Sequence, residues 1–179
     1  QKIADLAAEL IMDGDTLILD ASSTALFIAQ KIKTKKDITL LTNSLEVLME
    51  LSDVTGWKIL STGGSLKERS SALIGSQAEE CLERFHVDKA FISCKGVDAE
   101  HGFSDSSDAH AAVKRKMIAA ASQVFFAVDS SKFGKLSFTS ISGFSGVDAV
   151  ITERCPNEEW NRIFIANDIE CLYPRGEQK

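Results

Sequence analysis

The chain has 179 residues, of which 44% are hydrophobic, and this length suits a single domain with a substantial core. Its formal charge of −6 argues against nucleic-acid binding by this segment itself, because phosphate backbones are bound by clustered lysine and arginine. No apolar run reaches the roughly 20 residues of a membrane helix, and no signal peptide is recognisable. We therefore expect a cytoplasmic protein without membrane contact.

The cysteines and histidines give no sign of a disulfide or metal site. The four cysteines lie far apart and form no C-x-x-C pair. The three histidines show neither the i,i+4 spacing of a helical metal site nor a recognised spacing from cysteine ligands. We expect reduced, mostly structural thiols, no bound metal and no cofactor.

The predicted elements alternate between helices and short apolar strands. An amphipathic helical stripe at 1–12 comes first, and Asp13-Gly14-Asp15 makes a turn after it. Seven strands are predicted, at 16–20, 38–42, 57–61, 89–94, 124–129, 148–153 and 168–173. Helices are predicted between them, at 23–33, 44–54, 76–84, 107–121 and 157–166. Apolar strands separated by helices indicate an α/β fold, with a mostly parallel β-sheet covered by helices on both faces.

No linker, repeat or low-complexity tract interrupts this pattern, so we expect residues 1–179 to form one domain. Three long polar loops, at 62–75, 95–108 and 130–146, separate some of the elements. Loops of this length in a compact sheet protein are usually functional or mobile.

Polar residues and glycines follow five consecutive predicted strands. In chain order they are Asp20, Ser22, Ser23 and Thr24, then Thr42, Asn43 and Ser44, then Gly63 and Gly64, then Lys95 and Gly96, and finally Asp129 and Lys132. Parallel strands end at one edge of the sheet, where loops converge and helix N-termini direct free N–H groups. These residues are therefore expected to lie near one another.

Each of these residues also has an ordinary structural explanation. A serine or threonine at a helix start is commonly an N-cap, worth about 1 kcal/mol, and paired glycines commonly form turns. Caps and turns do not, however, require two lysines and two glycine turns at one edge. We interpret the group as a site for a phosphorylated polyol, in which hydroxyls, N–H groups and lysine hold the phosphate and Asp or Asn side chains bond sugar hydroxyls.

Other kinds of site find less support in the sequence. No G-x-G-x-x-G or Walker A loop follows any strand, which argues against a nucleotide site. Ser22 and Ser23 lack the G-x-S-x-G context of a serine nucleophile, and no histidine lies at an obvious strand end to act as base. Cys94 beside Lys95 is a conceivable nucleophile, although a cysteine at a strand end is more often simply buried.

An ordered set of motifs resembles a known family. The segments, in chain order, are LILDASSTA, ITLLTNSLEV, KILSTGGSL, DKAFISCKGVDAEHGF, AVKRKMI, FFAVDSSKFGKLSF and DAVIT. Together they resemble the C-terminal effector domain of DeoR-type bacterial transcriptional regulators, from about residue 3 to residue 173. Single motifs such as TNS are weak, but the order ending in VDSSKFG is specific.

The resemblance implies a fold similar to ribose-5-phosphate isomerases and CoA transferases. It also implies a non-enzymatic sensor for a sugar phosphate or related metabolite, homo-oligomeric, with DNA bound only through a helix-turn-helix domain expected upstream of Gln1. The thirteen residues that follow the strands are then ligand-binding by position. Two departures stand out: Ala21-Ser22-Ser23-Thr24 replaces the more frequent Ser-Gly-Thr-Thr, and Ala109-His110 stands where relatives commonly carry glutamate.

The alternative is an enzyme of the same fold, a sugar-phosphate isomerase. Such chemistry needs a general base that removes a proton next to a carbonyl. The acids near the fourth and fifth strand ends are Asp98, Glu100, Asp105, Asp108 and Asp129, and none is recognisable from sequence as buried beside a lysine. The sequence therefore favours the sensor, which we expect to belong to a repressor.

Overall fold

The computed structural model describes residues 1–174. Within them the helices are α1 (Lys2–Glu9), α2 (Ser23–Ile32), α3 (Leu45–Glu50), α4 (Ser76–Leu82), α5 (Asp108–Ala119) and α6 (Glu158–Ala166). The strands are β1 (Thr16–Leu19), β2 (Thr39–Thr42), β3 (Lys58–Ser61), β4 (Ser65–Lys67), β5 (Ala72–Ile74), β6 (Val87–Ile92), β7 (Gly96–Asp98), β8 (Gly102–Asp105), β9 (Ala121–Ala127), β10 (Thr139–Ser142), β11 (Ala149–Ile151) and β12 (Glu170–Leu172).

Seven strands form one sheet in the order β12-β11-β9-β6-β1-β2-β3, and every neighbouring pair in it is parallel. These are the seven strands that the sequence predicts, so the predicted α/β class is confirmed. Leu19 at the end of β1 pairs with Thr42 on one side and Phe91 on the other. Because the strand ends are level, the loops that follow them emerge at one edge.

Helices cover both faces of this sheet. The alternation of side chains along β1 directs Leu17 and Leu19 to one face and Ile18 to the other. Buried residues of α1, α2 and α3 pack on the first face, and buried residues of α4, α5 and α6 pack on the second. Each face is therefore a separate apolar core, which explains why the strands are apolar throughout.

The three segments expected to be long polar loops contain strands. β4 and β5 form an antiparallel hairpin within 62–75, and β7, β8 and β10 form a three-stranded antiparallel sheet. These strands are only 3 or 4 residues long and carry glycine, serine and aspartate, so they have little apolar alternation. The expectation that these segments are loops throughout was wrong, because hydrogen bonding to a partner strand, not a local sequence pattern, makes parts of them strands.

Candidate functional site

A cavity of about 660 Å³ opens at the carboxyl ends of β1, β6 and β9, three adjacent strands in the middle of the sheet. The residues after these strands form its floor and rim, while α1, α2, α5 and the turn between β4 and β5 supply the walls. The lining residues are Gln1, Ile3, Ala4, Ala21, Ser22, Ser23, Thr24, Phe27, Arg69, Ser70, Ser93, Cys94, Lys95, His110, Lys114, Asp129 and Lys132. Small-molecule sites commonly have this size and this position in an open parallel sheet.

Six of the thirteen predicted site residues line this cavity: Ser22, Ser23, Thr24, Lys95, Asp129 and Lys132. Ser22 is the N-cap of α2, and its Oγ accepts a hydrogen bond from the N–H of Ala25 at 3.1 Å. The first turn of α2, which carries the positive end of the helix dipole, thus lies against the cavity.

The ammonium groups of Lys95 and Lys132 form no salt bridge with any residue in 1–174. Lys95 is exposed, and Lys132 is half-buried in the short 3₁₀ turn Ser130–Lys132 after β9. Two cations that form no salt bridge within residues 1–174 therefore border the same cavity as the α2 N-terminus.

The residues after β2 do not line the cavity, because β2 lies beyond β1 in the sheet. Buried Thr42 donates to the carbonyl of Leu19 at 2.7 Å. Ser44 caps α3 by accepting from the N–H of Val47 at 3.2 Å. Asn43 donates through Nδ2 to the carbonyl of Leu73, which fastens the β4–β5 hairpin to the sheet.

Gly63, Gly64 and Gly96 also lie outside the lining. Gly64 has φ +108°, and a Cβ there would lie 2.6 Å from the carbonyl oxygen of Ile74. A Cβ at Gly96 would lie 2.3 Å from the carbonyl oxygen of Lys135. Backbone crowding therefore accounts for glycine at both positions.

Asp20 lies beneath the cavity, 1% exposed, in a buried cluster of three charges with Lys114 and Asp105. The Lys114 ammonium lies 2.8 Å from Asp105 Oδ2 and 3.4 Å from Asp20 Oδ2, and it also donates to the carbonyl of Ser93 at 2.8 Å. Asp20 further accepts from Ser22 Oγ at 2.5 Å and from the N–H of Ser93 at 2.9 Å. The cluster ties the loops after β1 and β6 to α5.

Lys114 and Asp105 stabilise each other in the ionised form. Burial alone would lower the pKa of Lys114, but the negative charges of Asp20 and Asp105 outweigh it and raise that pKa. Burial would likewise raise the pKa of Asp105, yet the attraction and hydrogen bond of Lys114 lower it. The lysine donates two hydrogen bonds inside the protein, to Asp105 and to the carbonyl of Ser93.

His110 lies on α5 four residues before Lys114 and lines the cavity. Its Nε2 atom is buried and has no hydrogen-bond partner among residues 1–174. Burial lowers the pKa of this imidazole, so the ring is neutral near pH 7.

Cys94 lines the cavity but is 3% exposed. Burial raises the pKa of its thiol to about 12. Since the thiolate is the reactive form, this cysteine is not a nucleophile at neutral pH. The adjacent Lys95 does not offset the effect of burial.

Sequence reasoning did not identify Lys114, Ser93, Arg69 or Ser70 as site residues. Lys114 lies on the buried face of α5 with Ala111 and Met117. A lysine at i+3 spacing between two apolar residues is the signal that was available, because a solvated lysine belongs on the opposite face. Arg69 and Ser70 reach the cavity through the hairpin turn, which no local pattern indicated.

Residues 1–174 contain no cluster of His, Cys, Asp or Glu suited to a metal ion. In the same residues, no helix has the length and apolar character to cross a membrane.

Comparison with curated proteins identifies relatives among transcriptional regulators. The uncharacterized HTH-type regulator YulB of Bacillus subtilis (strain 168) is 42% identical over 151 residues, which are 84% of this chain and 58% of that protein. The HTH-type transcriptional repressor GlcR of the same organism is 40% identical over 177 residues, which are 99% of this chain and 68% of that protein. The chain thus spans about three fifths of the length of YulB and about two thirds of GlcR.

Solved structures share the fold at low sequence identity. Ribose 5-phosphate isomerase a from Methanocaldococcus jannaschii matches with a TM-score of 0.53 and 19% identity, over 75% of this chain and 54% of that chain. The eIF2B beta structure from Chaetomium thermophilum matches with a TM-score of 0.59 and 17% identity, over 93% of this chain and 52% of that chain. The predicted likeness to the ribose-5-phosphate isomerase fold is confirmed.

The family assignment rests on the sequence. A family model described as the DeoR C terminal sensor domain matches residues 1–154. That span includes all seven motif segments and every residue that lines the cavity. The chain belongs to the family of DeoR C-terminal sensor domains.

Proposed function

We propose that this domain is the effector-sensing part of a DNA-binding transcriptional repressor and that its cavity binds a small phosphorylated sugar. Supporting this role, relatives such as GlcR are HTH-type repressors, and this chain has a formal charge of −6, which does not favour binding to DNA phosphates. DNA would be bound by a helix-turn-helix domain outside these residues. An effector alters DNA binding only if it binds two arrangements of the protein with different affinity.

The observation that carries the ligand proposal is the pair of lysines without salt bridges, Lys95 and Lys132, beside the N-terminus of α2. A phosphate is held well by ammonium groups together with hydroxyls and free backbone N–H groups. Ser23 and Thr24 contribute hydroxyls to the same wall. The cavity volume of about 660 Å³ accommodates a sugar in addition to its phosphate.

The isomerase alternative gains one observation, since Asp20 and Asp105 do lie beside a buried lysine. Neither carboxylate lines the cavity, and both are engaged by Lys114. The carboxylate that does line it is Asp129, and hydrogen bonds from Ser131 lower its pKa. A carboxylate with a lowered pKa is a weaker base, so the arrangement favours binding over proton removal.

The test is thermal denaturation of the 179-residue chain with ribose 5-phosphate, glucose 6-phosphate, glycerol 3-phosphate and the matching unphosphorylated compounds. A ligand at about 100 times its Kd stabilises by about 2.7 kcal/mol, which raises the Tm of a chain this size by roughly 5–11 °C. Only phosphorylated compounds should have this effect. If none of them moves the Tm, the proposed ligand class is wrong.

Lysine variants locate the phosphate. Lys95→Ala and Lys132→Ala each remove a charge-assisted hydrogen bond of about 1.5–3 kcal/mol, so the Kd should rise roughly 10- to 150-fold. Lys135→Ala is the matched control, because Lys135 is exposed and lies outside the cavity lining. Unchanged affinity in both cavity variants would mean that the phosphate lies elsewhere. Conversion of a sugar phosphate that is lost in Lys132→Ala would instead support the isomerase.

A further inference from the structure

His110 is a polar side chain in the cavity wall whose hydrogen-bonding capacity is unmet. Buried polar atoms in folded proteins nearly always have a partner. The buried Nε2 of His110 has none among residues 1–174, and the other buried side-chain atom in this condition, Asn43 Oδ1, belongs to a residue outside the cavity lining. The missing partner of His110 therefore points to a group that enters the cavity.

The neighbouring charged side chain on α5, Lys114, is directed to other partners. Lys114, one helical turn away, already donates to the carbonyl of Ser93 and to Asp105, and its third contact is Asp20. A lysine ammonium has three N–H groups and no acceptor, and Lys114 donates two of the three to these protein partners. Of the two α5 side chains that line the cavity, His110 is therefore the one that can both donate to a ligand and accept from it.

The chemistry of the ring limits what that group can be. A neutral imidazole carries one N–H donor and one nitrogen acceptor. It matches a hydroxyl, which also both donates and accepts, and it supplies no charge for a second phosphate. The low pKa that burial gives His110 is consistent with the neutral form. The matching ligand has its phosphate at one end and a free hydroxyl at the position nearest α5.

We propose that His110 is a specificity-determining residue that forms a hydrogen bond with a hydroxyl group of the bound sugar phosphate. This inference rests on the proposed function, since it assumes that a sugar phosphate occupies the cavity.

The test is calorimetric titration of the wild-type chain and two variants with inorganic phosphate, glycerol 3-phosphate, ribose 5-phosphate and glucose 6-phosphate. His110→Phe keeps a ring but removes both nitrogens, and His110→Asn keeps one donor and one acceptor. For the sugar phosphate that binds wild type most tightly, His110→Phe should raise the Kd about tenfold. His110→Asn should restore most of the affinity, and inorganic phosphate should bind all three proteins equally.

The outcomes separate this inference from the proposed function. If no sugar phosphate binds the wild-type chain, both are overturned. If a sugar phosphate binds wild type and His110→Phe equally well, the role of His110 is overturned and the proposed function stands. If His110→Phe raises the Kd for inorganic phosphate and for the sugar phosphate by the same factor, the residue does not recognise a hydroxyl, and the inference is likewise overturned.

Discussion

The buried cluster of Asp20, Lys114 and Asp105 makes a strong prediction about stability. Lys114→Met keeps most of the apolar stem of the side chain and removes the ammonium group, with its positive charge and its hydrogen bonds to Asp105 and Ser93. Both carboxylates are 1% exposed, so the variant leaves two negative charges that water cannot solvate. Asp20 retains hydrogen bonds from Ser22 and Ser93, whereas Asp105 retains mainly the N–H of Ser107 at 3.3 Å. Most of the cost therefore falls on Asp105.

Removing one partner of a buried ion pair typically costs about 3–5 kcal/mol, because a charge is left uncompensated. For a chain of this size, that loss lowers the Tm by roughly 6–20 °C. The free energy of unfolding is measured by urea denaturation followed by circular dichroism at pH 7. Lys116→Met is the matched control, since Lys116 lies on the same helix and its salt bridge with Glu83 is on the surface. It should have a much smaller effect.

The loss should also depend on pH. In the wild-type chain the pKa of Asp105 is lowered, so its contribution to stability is present above the ordinary carboxyl pKa of about 3.9 and is lost as the pH falls further. Without Lys114, burial instead favours the protonated acid, and the folded variant gains stability as the pH falls from 7 to 5. The difference between variant and wild type should shrink over that range.

Two results would refute this reasoning about Lys114. One is a Lys114→Met variant that is no less stable than Lys116→Met. The other is a double variant, Lys114→Met with Asp105→Asn, that is less stable than Lys114→Met alone. If the uncompensated charge is the cause, neutralising Asp105 should recover part of the lost stability.

Two further predictions concern Gly64 and His110. Gly64→Ala places a Cβ against the Ile74 carbonyl at positive φ and should lower the free energy of unfolding, measured by urea denaturation, by roughly 2–4 kcal/mol. Gly146→Ala is the control, because Gly146 has φ +78° with open space around it, and it should lower that free energy by only about 1–2 kcal/mol. Equal losses in the two variants would show that the contact with the Ile74 carbonyl is not the cause. Burial lowers the pKa of His110, so the unfolded chain binds the proton more readily and stability should fall as the pH drops below about 6.5. His110→Phe should show a flatter dependence between pH 7 and pH 5, and an unchanged slope would contradict that assignment.

Much of the fold could be predicted because it is encoded locally. Short runs such as 16-TLILD-20 are apolar on both faces, and this property requires a strand covered on both sides. The hydroxyl at the start of the helix predicted at 44–54 marked the N-cap Ser44 that the structure contains. The parallel sheet and the edge at which its loops meet therefore followed from the sequence.

What the sequence by itself could not give was the order of strands across the sheet, and that order decides which loops share a cavity. β6 lies next to β1, and β9 lies next to β6, so Ser22, Lys95 and Lys132 converge, while Asn43 and Gly63 follow β2 and β3 on the other side of β1. From chain order alone, the residues after all five strands are equally good candidates for the site.

The state of individual charges was likewise a property of the tertiary structure. The sequence determined that an acid follows β1 and that a lysine lies on the helix at 107–121. Only packing brought Lys114 to Asp20 and Asp105, whose positions are 94 and 9 residues away along the chain. This pairing depends on the whole fold. The three charges must pair because they are buried, and their burial is itself a result of tertiary packing.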